Sequence, residues 1–156
     1  LLFPQQANGS LILRDGKTLG SSLVAQNFVS DRYFQSRPSA ANYDPRAMAG
    51  SNLASTNPVL RGRIAESSKA IAIRENIAAN AIPVDMLTTS GSGIDPHISP
   101  ASARVQSARI ARVRGLSAAQ VQAAIDANTQ APIFGVLGQA RVNVLQLNLA
   151  LDAMTP

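Results

Sequence analysis

The chain holds a single histidine, and it stands in Asp95-Pro96-His97-Ile98-Ser99-Pro100. A carboxylate near an imidazole, with serines at hand, is the raw material of a hydrolase: the histidine takes the serine proton and the carboxylate orients the ring. His97 would have to be the base, yet no Gly-x-Ser-x-Gly elbow presents a serine on a sharp turn. Asp95 and His97 are also too close in sequence to impose triad geometry by themselves. The same residues read as a loop entering a helix, with Asp95 bonding backbone amides and Ser99 as the cap before Pro100. No catalytic residue is assigned. The absence of cysteine removes thiol catalysis, disulfides and cysteine-ligated zinc, and one histidine removes multi-histidine sites. No metal site and no cofactor are expected.

Three further segments raise the question of phosphate. Gly91-Ser92-Gly93 has too few glycines for a dinucleotide fingerprint, and no Lys-Ser/Thr pair follows it. Leu116-Ser117-Ala118-Ala119-Gln120 is similar to the Leu-Ser-Gly-Gly-Gln signature of ABC-type ATPases, which meets ATP from a helix N-terminus. Here alanines replace both glycines, and Ser-x-x-Gln is equally a capping box. Arg104, Arg109, Arg112 and Arg114 fall on one predicted helix. With Arg104 at zero, Arg112 lies at about 80° and Arg109 at about 140°, while Val113 and Ile110 lie at about 180° and 240°. Three arginines thus share a face expected to be solvated, and such a face could also meet phosphates, lipid heads or an acidic protein.

Composition narrows the classes. One hundred and fifty-six residues make one domain, with 46% hydrophobic and only 15% charged residues. A chain this long buries enough surface for a core without metal or disulfide staples. The longest apolar runs, such as Ala131–Leu137, are far short of the ~20 residues that span a bilayer. Fourteen basic against nine acidic residues leave +5, and twelve of the basic ones are arginine. That balance suits anionic partners and repels small cations. Six aromatics, two Tyr and four Phe, offer few stacking platforms for bases.

Elements must position these residues. Asp15-Gly16 between Ser10–Arg14 and Lys17–Val24 predicts a hairpin. Phe28 to Asn57 reads as ordered loop, with one short strand near Tyr33-Phe34. Asn57-Pro58 opens a helix running to about Asn80, and Pro83 opens a helical turn through Leu87. Ser99-Pro100 starts a helix to Arg114 that Gly115 ends; Ser117 to Asn128 is another. Asn143 caps a last helix, with Val144, Leu147 and Leu151 on one stripe. Strands first and helices later give an α+β class: an N-terminal hairpin and loop region, then a mostly helical half, in one compact domain over 1–156.

The phrases themselves carry a resemblance. In order stand Gln6-Ala7-Asn8-Gly9-Ser10-Leu11, Gly20-Ser21, Gln26-Asn27-Phe28, Tyr33-Phe34, Arg37-Pro38-Ser39-Ala40, Tyr43 and Gly50-Ser51-Asn52-Leu53. Ser90 to Pro100 follows, then Arg141-Val142-Asn143-Val144-Leu145 into Leu147–Asp152. This ordered set resembles the C subunit of the Kdp potassium-transporting P-type ATPase, from about Phe3 to Asp152. The resemblance implies a non-catalytic accessory subunit of an ATP-driven potassium uptake complex. Its partners would be a channel-like potassium-translocating subunit and a P-type ATPase subunit, with no nucleic acid. It also implies a single transmembrane helix in the inner membrane, with this domain on the extracytoplasmic side. That helix is absent here, and Leu1–Phe3 would be its stub.

No Asp-Lys-Thr-Gly-Thr phosphorylation motif is present, so the chain is not expected to hydrolyse ATP. A net-positive domain does not concentrate K⁺, which points to a steric or allosteric role in assembly or gating. The polar loops that carry the resemblance lack core periodicity, so Asn27, Arg37, Ser39, Asn52, Asp95 and His97 are the candidate partner contacts. The alternative is a nucleotide-binding regulatory module using Ser117 and Gln120.

Overall fold

Gly16, in the left-handed region at φ 74°, makes the tight reversal between β1 (Leu11–Arg14) and β2 (Lys17–Ser21). The antiparallel register runs Leu11–Ser21, Ile12–Gly20, Leu13–Thr18 and Arg14–Lys17, so Leu19 is the extra residue of a bulge. A computed structural model of the chain describes residues 7, 9–14, 16–47, 50–54, 56–132 and 138–154. Leu1–Phe3, expected as a stub, Asp15 of the predicted hairpin and most of the Ala131–Leu137 run lie outside the described residues.

From residue 58 onward the chain is mainly helical, as the α+β reading expects. Helix α1 (Pro58–Glu75) is capped by the Asn57 side chain, which accepts from the Val59 amide at 2.9 Å. It stops five residues earlier than the periodicity suggests. Asn76 takes the left-handed conformation at φ 55°, and the Ile77 amide turns back to the Ala72 carbonyl at 3.1 Å. This closes a Schellman motif with asparagine in the glycine position. Ala79–Ala81 and Val84–Met86 are single 3₁₀ turns, the second where Pro83 predicts it.

Helix α2 (Pro100–Arg114) begins at the Ser99 cap and ends at Gly115, again with a Schellman bond from Leu116 to Ala111. Helix α3 (Ala118–Ala127) and helix α4 (Val144–Met154) follow. Asn143 caps α4 by accepting from the Gln146 amide at 3.1 Å. A second sheet escaped the sequence reading. It is antiparallel, in the order β3 (His97–Ile98), β5 (Arg141–Asn143), β4 (Thr129–Gln130), and its strands are too short to show a period.

The main core joins Phe34, Ile98, Ile110, Val121, Ile125, Val142, Leu147 and Leu151. A smaller cluster of Ile71, Ile82 and Met86 seats the end of α1. Two expectations are corrected inside this core. Tyr33-Phe34 is not a strand: the backbone of Phe34 bonds to the Asn148 amide, N–H to Oδ1 at 2.8 Å and C=O from Nδ2 at 2.9 Å. The backbone of Gln35 bonds likewise to Gln106, at 2.8 and 3.2 Å. Two buried side-chain amides thus substitute for a neighbouring strand and satisfy the groups that burial would otherwise leave unpaired.

The arginine face is the second correction. Arg104 and Arg112 are exposed, but Arg109 and Arg114 are buried at 2% and 7% exposure. The buried arc of α2 spans about 140° to 280° on the wheel, with Gln106 near its middle and Arg109 and Arg114 on its rims. Arg109 donates to both Glu75 carboxylate oxygens at 3.0 and 3.2 Å, and to the carbonyls of Asp31 and Tyr33. Arg114 donates to the Arg32 carbonyl at 2.7 Å and to Asp152 at 2.8 Å, and lies over the Tyr33 ring. These cations tie the 31–35 loop to the core instead of facing a partner.

Candidate functional site

The segment 88–97 is the hub on which the candidate loops converge. Arg37 reaches it from one side, donating to the carbonyls of Thr88 at 3.4 Å and Thr89 at 3.2 Å and lying 3.7 Å from the Asp95 carboxylate. Ser39 donates its hydroxyl to the Gly93 carbonyl and accepts from the amides of Ala41 and Tyr43. The Ala25 amide donates to the Ile94 carbonyl at 2.8 Å, and Ser36 donates to the Gln26 carbonyl at 3.2 Å. Gly50 sits so close to the hub that a Cβ there would lie 3.1 Å from the Gly91 carbonyl oxygen. The segments at Ala25, Arg37–Ser39 and Gly50 therefore meet the hub at one rim, although they are far apart in sequence.

Asp95 and His97 form the centre of that rim. The His97 amide donates to Asp95 Oδ1 at 3.0 Å, and the ring Nδ1 lies 3.1 Å from the same oxygen. An ionised carboxylate only accepts, so Nδ1 carries the proton. The ring hydrogen bond holds the Asp95 carboxyl below its usual range; burial opposes this, and the His97 backbone bond and the Arg37 charge add to it. No serine hydroxyl bonds the His97 ring, so the triad reading has no geometry behind it among the described residues.

The backbone beside Ser39 is strained. Asn42 and Tyr43 are both left-handed, at φ 51° and 61°, which is costly for a bulky tyrosine. Ser39 holds the turn from within, and the Tyr43 hydroxyl donates to the Arg37 carbonyl at 2.8 Å. Burial pushes the Tyr43 phenol above its ordinary value.

Of the six candidate contacts, the structure brings Arg37, Ser39, Asp95 and His97 together. Asn27 and Asn52 are exposed and outside this bonded cluster, Asn52 with a left-handed backbone at φ 48°. A cleft of about 510 Å³ opens beside the cluster, bounded by Arg37, Thr88, Asp95, His97, Ser99 and Arg141. Sequence reasoning missed Thr88, Arg141 and Asp85. Asp85 accepts from the Ser99 amide at 2.8 Å and from the Ser102 hydroxyl at 2.6 Å, fixing the start of α2. Only the Pro83 turn signal marks its neighbourhood in the sequence.

Ser117 and Gln120 stand elsewhere, at the start of α3. The Ser117 amide donates to Gln120 Oε1 at 2.9 Å, and the Gln120 amide donates to Ser117 Oγ at 3.1 Å. Leu-Ser-x-x-Gln is thus a capping box in which each side chain bonds the other's backbone.

The chain matches the family described as KdpC: K+-transporting ATPase, c chain, over residues 1–153. It is 58% identical over 151 residues to the potassium-transporting ATPase KdpC subunit of Xanthomonas campestris pv. campestris (strain B100), covering 97% of this chain and 72% of that protein. The subunit of the same name from Shewanella putrefaciens is 55% identical over 151 residues, with 97% of this chain and 76% of that protein covered. That of Polaromonas naphthalenivorans is 52% identical over 159 residues, with 100% and 81% covered. The resemblance carried by the loop phrases and the comparisons over nearly the whole chain agree: this chain belongs to the KdpC family of K+-transporting ATPase c chains.

Proposed function

We propose that the chain acts as an accessory subunit of an ATP-driven potassium uptake complex, assembling with a channel-like subunit and a P-type ATPase subunit. Family membership supports the accessory role and sets the chain apart from the catalytic subunit. The observation that carries the finer reading is the convergence of three segments, at Ala25, Arg37–Ser39 and Gly50, on the 88–97 hub, where Arg37 and His97 both hold Asp95 and Ser39 bonds the Gly93 carbonyl. A rim fixed this way loses little conformational freedom on docking, which favours a specific contact. We place it against the external entrance of the channel-like subunit, with the domain on the extracytoplasmic side of the inner membrane. A domain of net charge +5 does not gather K⁺, so the rim works by holding or gating that entrance.

Co-purification tests this. The tagged gene product, extracted in mild detergent, is expected to bring a multi-pass chain and a P-type ATPase chain in fixed ratio. Arg37→Ala and Asn52→Asp are expected to reduce that recovery while leaving the circular dichroism of the purified domain unchanged. Undiminished recovery with both variants would refute the contact assignment. Elution of the parent protein alone would refute the assembly role.

A further inference from the structure

Among the described residues, exposed aliphatic side chains gather on the β1–β2 ribbon: Leu11 is 45% exposed, Leu13 64% and Leu19 39%. The remaining large exposed ones are Leu23 and Val29 in the segment that follows, Val59 and Ile73 at the two ends of α1, and single residues on the second 3₁₀ turn, α2 and α4. Strand β1 is regular, so Leu11 and Leu13 share a face. The opposite face is the anchored one. Ile12 is half-buried, and a Cβ at its partner Gly20 would lie 3.2 Å from Leu145 Cδ2. The base of the ribbon is pinned by the Asn143 side chain donating to the Ser22 carbonyl at 2.8 Å and by Ser21 donating to the Gly9 carbonyl at 2.7 Å. The ribbon is held in place with its apolar face turned outward. Such a pair of strands is marginal in water without a covering surface.

We propose that this ribbon contacts a bilayer: Leu11 and Leu13 enter the headgroup–acyl boundary, and Lys17 at the turn meets anionic lipid phosphates. Lys17 is exposed at the turn that joins the two strands, so a cation stands at the end of the ribbon. The chain carries +5 overall, complementary to an anionic surface. Lipid asks only for apolar area and positive charge. Protein interface cores are enriched in aromatics and methionine, and leucine is scarce among their hot spots. The segment 11–21 contains no aromatic residue and no methionine. This inference stands independently of the loop cluster at 88–97.

The test uses the 156-residue chain with vesicles. Flotation with phosphatidylglycerol/phosphatidylethanolamine vesicles is expected to retain the chain, and phosphatidylcholine vesicles to retain far less. Leu11→Ser combined with Leu13→Ser is expected to weaken partitioning about tenfold. Val59→Ser, at a site 70% exposed on α1, is expected to leave it unchanged. The chain has no tryptophan, so Leu13→Trp introduces a unique reporter. Its emission is expected to shift blue on the anionic vesicles and to be quenched by brominated acyl chains. Equal retention by both vesicle types, an effect of the leucine pair no larger than that of Val59→Ser, or unshifted emission from vesicle-bound chain would each overturn the proposal. A protein surface would then cover the ribbon.

Discussion

Glu75 and Arg109 expose only 0% and 2% of their side chains, stand 3.0 Å apart, and neither tolerates the loss of the other. Removing one partner of a buried pair leaves a charge in low dielectric, at a cost of about 3–5 kcal/mol. Arg74, 2.8 Å from Glu75 and partly exposed, remains as a second cation, so Arg109→Met is expected near the lower end of that range in urea unfolding. Combining it with Glu75→Leu is expected to recover only part, because Asp31 and Tyr33 still lose a donor for their carbonyls. Asp95 gives a pH prediction. Its folded carboxyl stays ionised to lower pH than the ordinary value of about 3.9. Between the two values the unfolded chain binds more protons, so this contribution is complete above the ordinary value and fades as pH falls through the folded one. Asp95→Asn is expected to unfold more easily than the parent at pH 7, with the gap narrowing as pH falls below the ordinary carboxylate value. A gap that persists in acid would show that the bonds, not the ionisation, carry the effect.

Helix ends were the most legible elements, because a cap and its partner lie within a few residues. Asn57, Ser99, Ser117 and Asn143 all cap where sequence predicts. The capping box at the start of α3 is exposed, so its worth is local. Ser117→Ala is expected to cost about 1 kcal/mol in thermal or urea unfolding. Gln120→Ala should cost less, and the two together less than their sum, since each removes a bond that orients the other residue. A strictly additive pair would argue against reciprocal capping. What remained illegible depends on distant partners. Asn148 stands in the apolar stripe of α4 and Gln106 in that of α2, and nothing near them in sequence shows that they clamp residues 34 and 35. The same distance hid the burial of Arg109 and Arg114, since a wheel separates faces but cannot say which loop covers them. The candidate site was legible as a set of loop phrases; their convergence on residues 88–97 was not.

At the scale of the whole molecule, the two apolar clusters differ in depth, and their separation sets how the fold loosens. Leu147 and Leu151 are fully enclosed in the main cluster, whereas Ile71 is 9% exposed at the seat of α1. Helix α1 has only Ile71 and Glu75 buried along its eighteen residues, so its packing rests on its C-terminal end. Val105 of α2, the Glu75–Arg109 pair and the Arg74 bond to Gln35 Oε1 join it to the rest. Leu147→Ala removes volume from a site enclosed on all sides and is expected to cost about 3–5 kcal/mol. It should speed exchange of the slowest amides in α2 and α4 together, because those open only with the whole fold. Ile71→Ala sits beside solvent, where the gap can close or fill with water, and is expected to cost about 2 kcal/mol. Its effect on exchange should fall on α1 and the 3₁₀ turns, leaving the slowest amides of α4 unchanged as long as α1 can open alone. If Ile71→Ala accelerates the α4 amides in proportion to its cost, the two clusters open as one unit. The buried ion pair between them would then couple α1 fully to the core, and the rim at 88–97 would share the stability of the whole domain.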